Sequence, residues 1–359
     1  MAASLATSGV GTQLVDDLAA HEARSAARRL VTGLFDAWDA GDAAAVVAHF
    51  TPDAMWTDPG GERSLGTAEL AAHYRRWREW EPFSVHWLGN EQVLAEPLDA
   101  SRATGSWLWS AASNVERGAT SAWSGGDLKV SFRSTEAGWR IESLLMVDRY
   151  RTPYHVGWLD ELLVQPGPIP TPVDTSGSGV VGTAVLHLPP AVRVEPPGGT
   201  EAARRDRLVA ESGVRWAIGE YADAVELLDE DVSTLVPFWT EDATCSLCGV
   251  PDASGRVAVL DAHHADAARA SAWVRALMSL SIEVAPQGDR AHARWRDIWT
   301  AEVAGEARWL AHAYQAELVT GGDGWRFTRL RRRPLLDCSY EEGWSPGTEP
   351  GPAEESIES

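Results

Sequence analysis

The sequence repeats itself at a fixed distance, and this repeat constrains the fold more than any other feature. Four tryptophans recur 186 residues further along the chain, as Trp109, Trp123, Trp139 and Trp158 against Trp295, Trp309, Trp325 and Trp344. An earlier block pairs at a spacing of 189, so one gap of three residues aligns the two copies. This period is far longer than the 20 to 50 residues of solenoid repeats, so each copy is predicted to be a complete domain with its own core.

Length and charge agree with two soluble domains. The chain has 359 residues, which suits two domains, and a formal net charge of −21 with a pI near 4.8. An acidic surface disfavours nucleic acid and anionic membranes as partners, because both are bound by basic faces. The sequence has no 18-residue apolar run, and its first residues do not follow a signal-peptide pattern. A cytoplasmic location is therefore expected.

Several classes of chemistry are disfavoured by residue usage. Lys129 is the single lysine, and neither a GxxxxGK[ST] loop nor a GxGxxG fingerprint placed after a strand is present, so no cofactor is predicted. Cys245 and Cys248 have CxxC spacing, but no second pair of ligands accompanies them. No metal site is predicted.

The predicted domain organisation follows the repeat. Residues 1–20 are predicted to be a flexible N-terminus, 21–164 the first domain, 165–200 a Pro/Gly-rich linker, 201–345 the second domain and 346–359 a disordered tail.

Apolar spacing indicates helices first and strands afterwards in each copy. In copy one, Leu30, Leu34 and Trp38 predict a helix, Gly41-Asp42 interrupts it, and a third helix is expected over Ala68 to Trp80. Period-two segments then predict strands near Val85-Trp87, Trp107-Ala111, Val130-Phe132 and Trp139-Tyr150. Copy two predicts matching helices over Val214–Val225, Val232–Trp239 and Val257–Ala276. The fold class is therefore α+β, with helices on one face of an antiparallel sheet.

Two segments of copy one carry a family resemblance. Asp36-Ala37-Trp38-Asp39-Ala40-Gly41-Asp42 is followed by Phe50-Thr51-Pro52-Asp53-Ala54-Met55-Trp56, and together they resemble the SnoaL-like family. This resemblance implies the fold of nuclear transport factor 2, in which three helices pack on a curved, cone-shaped antiparallel sheet, here present twice. Copy one resembles most the branch that contains scytalone dehydratase and hexachlorocyclohexane dehydrochlorinase.

That branch implies a catalytic aspartate and histidine. The aspartate of the turn corresponds to Asp39, and the histidine on the first strand after the third helix corresponds to His86. A histidine titrates near neutrality, and a carboxylate on its other ring nitrogen fixes the tautomer and stabilises the imidazolium. His86 is thus the predicted base and Asp39 the residue that orients it.

Aromatic residues are expected to enclose an apolar substrate. The candidate substrate-binding residues are Trp38, Trp56, Trp107, Trp109, Trp123 and Arg133. Tryptophans shared by both copies, such as Trp109 and Trp295, are better explained as core. Tryptophans found in copy one alone, among them Trp87, are better pocket candidates. The tyrosines that polarise a substrate carbonyl in the known dehydratases have no counterpart beside Asp39, whose neighbour is Trp38. This argues against that particular dehydration mechanism.

Copy two departs from the dyad. Glu226 replaces the turn aspartate, and the strand near Trp273 to Ser281 has no histidine, so this domain is expected to be degenerate. It retains polar residues from which an independent site could be built: His263, His264, His292, His312, Asp297 and Tyr314.

The predicted function is a cofactor-independent lyase or isomerase of the cyclase or dehydratase type. It would act on an apolar polyketide-like or aromatic molecule in secondary metabolism. One alternative is an epoxide-opening enzyme using Asp39 with Asp53 or Asp58, and Glu226 with Asp242. The other is a non-catalytic binding module. The two domains are expected to pair as an intramolecular pseudo-dimer.

Overall fold

The computed structural model describes residues 7–96, 99–154, 199–226, 232–322 and 324–341. The chain divides into two compact units, Met1–Thr200 and Glu201–Ser359. The predicted linker, apart from its last two residues, and the predicted tail lie outside the described residues.

Three helices form one layer of the first domain: α1 (Thr7–Asp39), α2 (Ala43–Ala48) and α3 (Gly66–Trp80). A turn at Gly41, with φ of 76°, separates the first two. The Asp42 carboxylate then accepts hydrogen bonds from the N–H groups of Ala44 and Ala45 and so caps α2. The Gly-Asp interruption seen in the sequence therefore works as predicted.

The first helix begins earlier than the sequence indicated. Residues 7–20 were assigned to a flexible N-terminus, but α1 starts at Thr7. Once a helix has nucleated, adding each further residue is favourable for good helix formers, and the segment before residue 21 contains several alanines and leucines.

Six strands form the sheet of the first domain. They are β1 (Phe50–Thr57), β2 (Arg63–Leu65), β3 (Phe83–Glu96), β4 (Asp99–Val115), β5 (Thr120–Thr135) and β6 (Gly138–Pro153), in the order β2-β1-β6-β5-β4-β3. Strand β1 runs parallel to β6, and all other neighbours are antiparallel. Strands β3 to β6 were predicted from period two. Strands β1 and β2 were not, because a short strand with Pro52 and Asp53 in it has little strand propensity of its own.

The second domain repeats this architecture. It contains α4 (Glu201–Glu226), a 3₁₀ helix (Val232–Phe238), α5 (Arg256–Ala267), and strands β7 (Trp239–Ser246), β8 (Ala253–Ser254), β9 (Ala270–Val284), β10 (Arg290–Val303), β11 (Glu306–Gly321) and β12 (Gly324–Ser339). The strand order is β8-β7-β12-β11-β10-β9, which matches the first sheet position for position. The α+β prediction is confirmed in both copies.

Two helix predictions in the second domain were wrong. The second helix is a 3₁₀ turn that gives way to a strand at Trp239, because Pro237 cannot donate a backbone hydrogen bond. The third helix ends at Ala267 rather than at Ala276, since the residues after it pair as β9 with the neighbouring strand. Sheet pairing overrode the helical spacing of the apolar residues there.

Aromatic and aliphatic side chains fill each core. In the first domain Trp38 and Trp56 are almost completely buried, and in the second Trp239 is. None of the helices within the described ranges combines the length and apolarity needed to cross a membrane.

Candidate active site

Asp39 and His86 lie in direct contact in the first domain. Asp39 is the last residue of α1, and His86 lies on β3. The Nδ1 of His86 is 2.5 Å from Oδ1 of Asp39, and the backbone N–H of His86 donates to Oδ2 over 2.9 Å. Both side chains are buried, at 3% and 7% exposure. Because a carboxylate only accepts, Nδ1 carries the proton and the Nε2 lone pair of the neutral ring is the basic atom.

Ser84 and Arg78 extend this contact into a chain of hydrogen bonds. The Ser84 hydroxyl donates to Oδ1 of Asp39 over 3.0 Å, and Nη1 of Arg78 donates to Ser84 Oγ over 3.2 Å. A second nitrogen of Arg78 donates to the carbonyl of Pro82 over 2.7 Å. The guanidinium therefore ties α3 to the start of β3 and places positive charge near a buried carboxylate, which lowers the cost of burying that charge.

Aromatic rings surround the imidazole of His86. The ring centroids of Phe35, Trp109 and Trp38 lie 4.9, 5.9 and 6.0 Å from it. Trp38 also contacts Trp56 at 5.0 Å. An apolar wall lowers the local dielectric constant, so the Asp39–His86 interaction is stronger than it would be in water.

The structure does not bring all predicted substrate-binding residues to the dyad. Trp107 packs on Phe132, and Trp123 packs on Trp87, whose side chain alternates with His86 along β3 and so points to the other face of the sheet. Arg133 is ion-paired with Asp53 and Glu142. The candidate wall is thus formed by Trp38, Trp56 and Trp109 with Phe35, a residue that the sequence did not single out.

A second buried cluster surrounds His73 on α3. Its Nε2 lies 3.2 Å from Oδ2 of Asp58, and its Nδ1 lies 3.0 Å from the Ser64 hydroxyl and 3.4 Å from Glu62. The donor atoms of Asp58, Glu62 and His73 lie within 4.8 Å of one another, a grouping that can hold a metal ion. The two acids face opposite nitrogens of one ring, however, so a single ion in this geometry reaches only one of them together with His73. The contacts better explain how α3 holds the β1–β2 hairpin.

A third polar group lies on the last strand of the domain. The Asp148 side chain is completely buried and pairs with Nε of Arg151 over 3.1 Å. The Arg151 guanidinium lies 5.0 Å above the Trp80 ring, and the Trp77 indole N–H donates to Glu81 over 2.5 Å. Burial raises the pKa of Asp148, and the nearby charge of Glu81 acts in the same direction, against the charge of Arg151.

Comparison with known proteins identifies the family. The sequence profile of the SnoaL-like domain matches residues 19–144 and 215–331, one segment in each copy. The chain belongs to the SnoaL-like family. The match covers both domains, so the resemblance predicted from the Asp39 turn and the β1 block is confirmed for the tandem arrangement. No curated protein sequence matches the chain.

Solved structures similar to this SnoaL-like protein correspond to a single domain. One is the hexachlorocyclohexane dehydrochlorinase LinA-type3 from Novosphingobium barchaimii LL02, at 17% identity over 38% of this chain and 92% of that one, with a TM-score of 0.34. Another is an NTF2-like protein with a cystatin-like fold from Novosphingobium aromaticivorans, at 26% identity over 37% and 87%, with a TM-score of 0.31. A third is the Kfla4162 protein from Kribbella flavida, at 17% identity over 37% and 95%, with a TM-score of 0.33.

Sequence reasoning missed several polar residues of this SnoaL-like protein. One signal was available: Leu144, Met146 and Asp148 alternate along β6, so a strand that buries the first two also turns Asp148 inward. Ser84 precedes His86 by two residues and shares its face for the same reason. Arg78 had no such signal, because its contact with Ser84 depends on how α3 packs on β3.

The second domain of this SnoaL-like protein does not rebuild the Asp39–His86 pair. Ala111 is the cross-strand partner of His86, and Asp297, 186 residues after Ala111, pairs instead with Leu277. Of the retained residues, His264 and His292 are exposed, while His263 is buried against Tyr221. Glu226 ends α4, and its side chain lies outside the described part of the chain.

Proposed function

We propose that the first domain is a cofactor-independent lyase or isomerase in which His86 removes a proton from carbon. The observation that supports this is the hydrogen bond between Asp39 and Nδ1 of His86 in a buried, aromatic-walled position. Such a pair leaves the lone pair of Nε2 as the base, and histidine is the side chain most often used for general base catalysis.

The proposed reaction begins with transfer of a carbon-bound proton to Nε2 of His86. The imidazolium that forms is stabilised by the Asp39 carboxylate, which Ser84 and the backbone N–H of His86 hold in place. The electron pair left on carbon then expels a leaving group, forms a bond that closes a ring, or is protonated at another position. These outcomes are elimination, cyclisation and isomerisation, and the same first step serves all of them.

The proposed substrate is an apolar molecule with an aromatic or polyketide-like skeleton. Phe35, Trp38 and Trp109 present ring faces and edges around His86, and such walls favour flat, weakly polar ligands. Compounds of this kind are typical of secondary metabolism, in which a cyclase or dehydratase would use this chemistry.

A heavy-water experiment tests the proton transfer. 1-Tetralone, a bicyclic aromatic ketone with acidic hydrogens beside its carbonyl, is incubated with the full chain in heavy water and its deuterium content is followed by NMR. The base removes the hydrogen from carbon, the enolate accepts a deuteron, and the ketone is recovered labelled. His86→Gln and Asp39→Asn are each expected to slow this exchange by about 10²- to 10⁴-fold, the usual contribution of a general base.

Asp53→Asn is the matched control. Asp53 is exposed and paired with Arg133, so its replacement should leave exchange unchanged. Exchange at the solution rate with a saturably bound ketone would instead favour the binding-module alternative. Hydrolysis of styrene oxide that is lost in Asp58→Asn but retained in His86→Gln would favour the epoxide-opening alternative.

A further inference from the structure

A buried carboxylate in the second domain accepts four hydrogen bonds. Asp297 lies on β10 with 1% of its surface exposed. Its Oδ1 accepts from Nδ1 and from the backbone N–H of His312, at 3.0 and 3.2 Å. Its Oδ2 accepts from the Tyr314 hydroxyl and from the Trp299 indole N–H, both at 2.6 Å. These four donors offset part of the free energy that burying a carboxylate costs.

The duplicated domain shows that the fold does not need this carboxylate. Ala111 occupies the corresponding position of the first domain, where it is completely buried beside His86. The same sheet therefore forms with a methyl group at this place. Burying a charge costs free energy even when its hydrogen bonds are complete, so a structural role alone does not explain Asp297.

His312, like His86, directs its Nδ1 at an aspartate oxygen, but it lies on β11, whereas His86 lies on β3. His312 lies directly opposite Asp297, and its side chain is 6% exposed. With Nδ1 donating to the carboxylate, the lone pair of the neutral ring is on Nε2. No residue in the described ranges hydrogen-bonds this atom. The Trp299 ring lies 5.1 Å away and supplies an apolar wall.

Arg332 supplies a buried donor next to this pair. It lies on β12 opposite Tyr314, and its guanidinium lies 5.5 Å above the Trp299 ring. Two of its nitrogens are held by Asp266 on α5. Its Nε–H has no acceptor among the described residues, although the side chain is only 5% exposed. An unpaired buried N–H is costly, and a ligand oxygen would satisfy it.

We propose that Asp297 and His312 form a second general base site, in the domain that the sequence suggested was degenerate. Its ligand is a small, flat, apolar molecule with an acidic C–H near an electronegative oxygen. The proton passes to Nε2 of His312, the electron pair moves toward the oxygen, and Arg332 donates to the charge that develops there. The site is independent of Asp39 and His86, so it does not depend on the function proposed for the first domain.

The probe for this site is 5-nitrobenzisoxazole, which reports proton removal by a single change in absorbance. A base takes its one acidic C–H proton, the N–O bond breaks, and a nitrile and a phenolate form without any other reactant. The full chain carrying Asp39→Asn and His86→Gln serves as the background, so that elimination by the first domain is removed. His312→Gln is added to this background, and His292→Gln, an exposed histidine on β10, is the matched control.

The background protein is expected to accelerate elimination, and His312→Gln is expected to lower its kcat/KM about 100-fold, at the lower end of a general base contribution. His292→Gln should change nothing. The proposal is overturned if the background protein is no faster than the same concentration of free imidazole, or if His312→Gln leaves the rate unchanged.

If the His312→Gln variant does not fold, a second measurement on the background protein tests the proposal. Diethyl pyrocarbonate is added to the background protein, and carbethoxylation of each histidine is followed by peptide mass spectrometry. Loss of elimination should track modification of His312. Loss that tracks another histidine, or activity retained after His312 is modified, would overturn the proposal.

Discussion

Asp39 holds His86 with both of its carboxylate oxygens, one on the imidazole and one on the backbone N–H of the same residue. The ring is therefore fixed relative to the strand that carries it. Asp297 binds His312 differently, since a single oxygen accepts from both the ring and the backbone, and the other oxygen is occupied by Tyr314 and Trp299. The aspartate–histidine contacts of the two domains thus have different hydrogen-bonding patterns.

Ser84 is predicted to be a positioning residue for this contact. Ser84→Ala removes a hydrogen bond to a charged oxygen, and about tenfold lower kcat with little change in KM is expected, equivalent to about 1.4 kcal/mol. The acid limb of the pH–rate profile, where a general base becomes protonated, should also move, because Asp39 would be held less firmly against His86. Ser101→Ala, on an exposed segment, is the control. An unchanged profile for Ser84→Ala would show that the hydroxyl does not act through Asp39.

Two glycines, each on the first helix of its domain, should respond oppositely to the same substitution. Gly219 lies inside α4 with open space beside it, so Gly219→Ala is expected to raise the free energy of unfolding by about 0.5–1 kcal/mol. A Cβ on Gly33 would lie 2.8 Å from Nε2 of His49, which is buried and hydrogen-bonded to Ala45. Gly33→Ala should therefore cost about 1–3 kcal/mol. Urea denaturation measures both, and equal stabilisation by the two changes would contradict the packing of His49.

Asp148 gives the first domain a distinct dependence on pH. Burial raises the pKa of Asp148 above its ordinary value of 3.8, so the folded state holds its proton more tightly than the unfolded chain. The free energy of unfolding that it contributes should then fall as pH rises from about 3.8 through the raised pKa. The difference between the wild type and Asp148→Asn, measured by urea denaturation at several pH values, should decline over that window. A rising difference would contradict the buried position.

The cysteines should be poorly reactive in the folded protein. Cys245, Cys248 and Cys338 are free thiols. Burial raises the pKa of Cys245 from 9.0 to about 11 and that of Cys338 to about 12. At pH 8 the thiolate fraction of Cys245 is then about 100-fold lower than in the unfolded chain, so its reaction with Ellman's reagent should slow by at least that factor. Rapid labelling of the native protein, compared with the same protein in urea, would contradict this.

Much of the fold followed from local patterns. Apolar spacing over Leu30, Leu34 and Trp38 predicted α1, and Gly41-Asp42 predicted its end and the cap of α2. The predicted ends of helices and strands were wrong where a strand pairs with a partner that is distant in sequence. Strand β1 exists because it pairs with β6, whose residues lie about 90 positions away, and no pattern within β1 shows this.

The candidate sites were less predictable than the fold. The family resemblance indicated Asp39 and His86, and the structure places them in contact. Arg133 was expected near them and is instead held by Asp53 and Glu142, because a strand residue's surroundings depend on which strands neighbour it. Asp297, His312 and Tyr314 were noted in the sequence as retained polar residues. Only the pairing of β10 with β11 shows that they form one network.

The sequence by itself determined that the chain is a duplication of one α+β domain, since repeated tryptophans and apolar periods survive divergence when they form the core. It also determined which residue types each copy holds. The tertiary structure decided which of those residues meet. Contacts such as Ser84 with Asp39, or Arg332 with Asp266, join elements whose separation in sequence carries no information about their separation in space. Side chains on neighbouring strands and helices are brought together only by the packing of the whole domain.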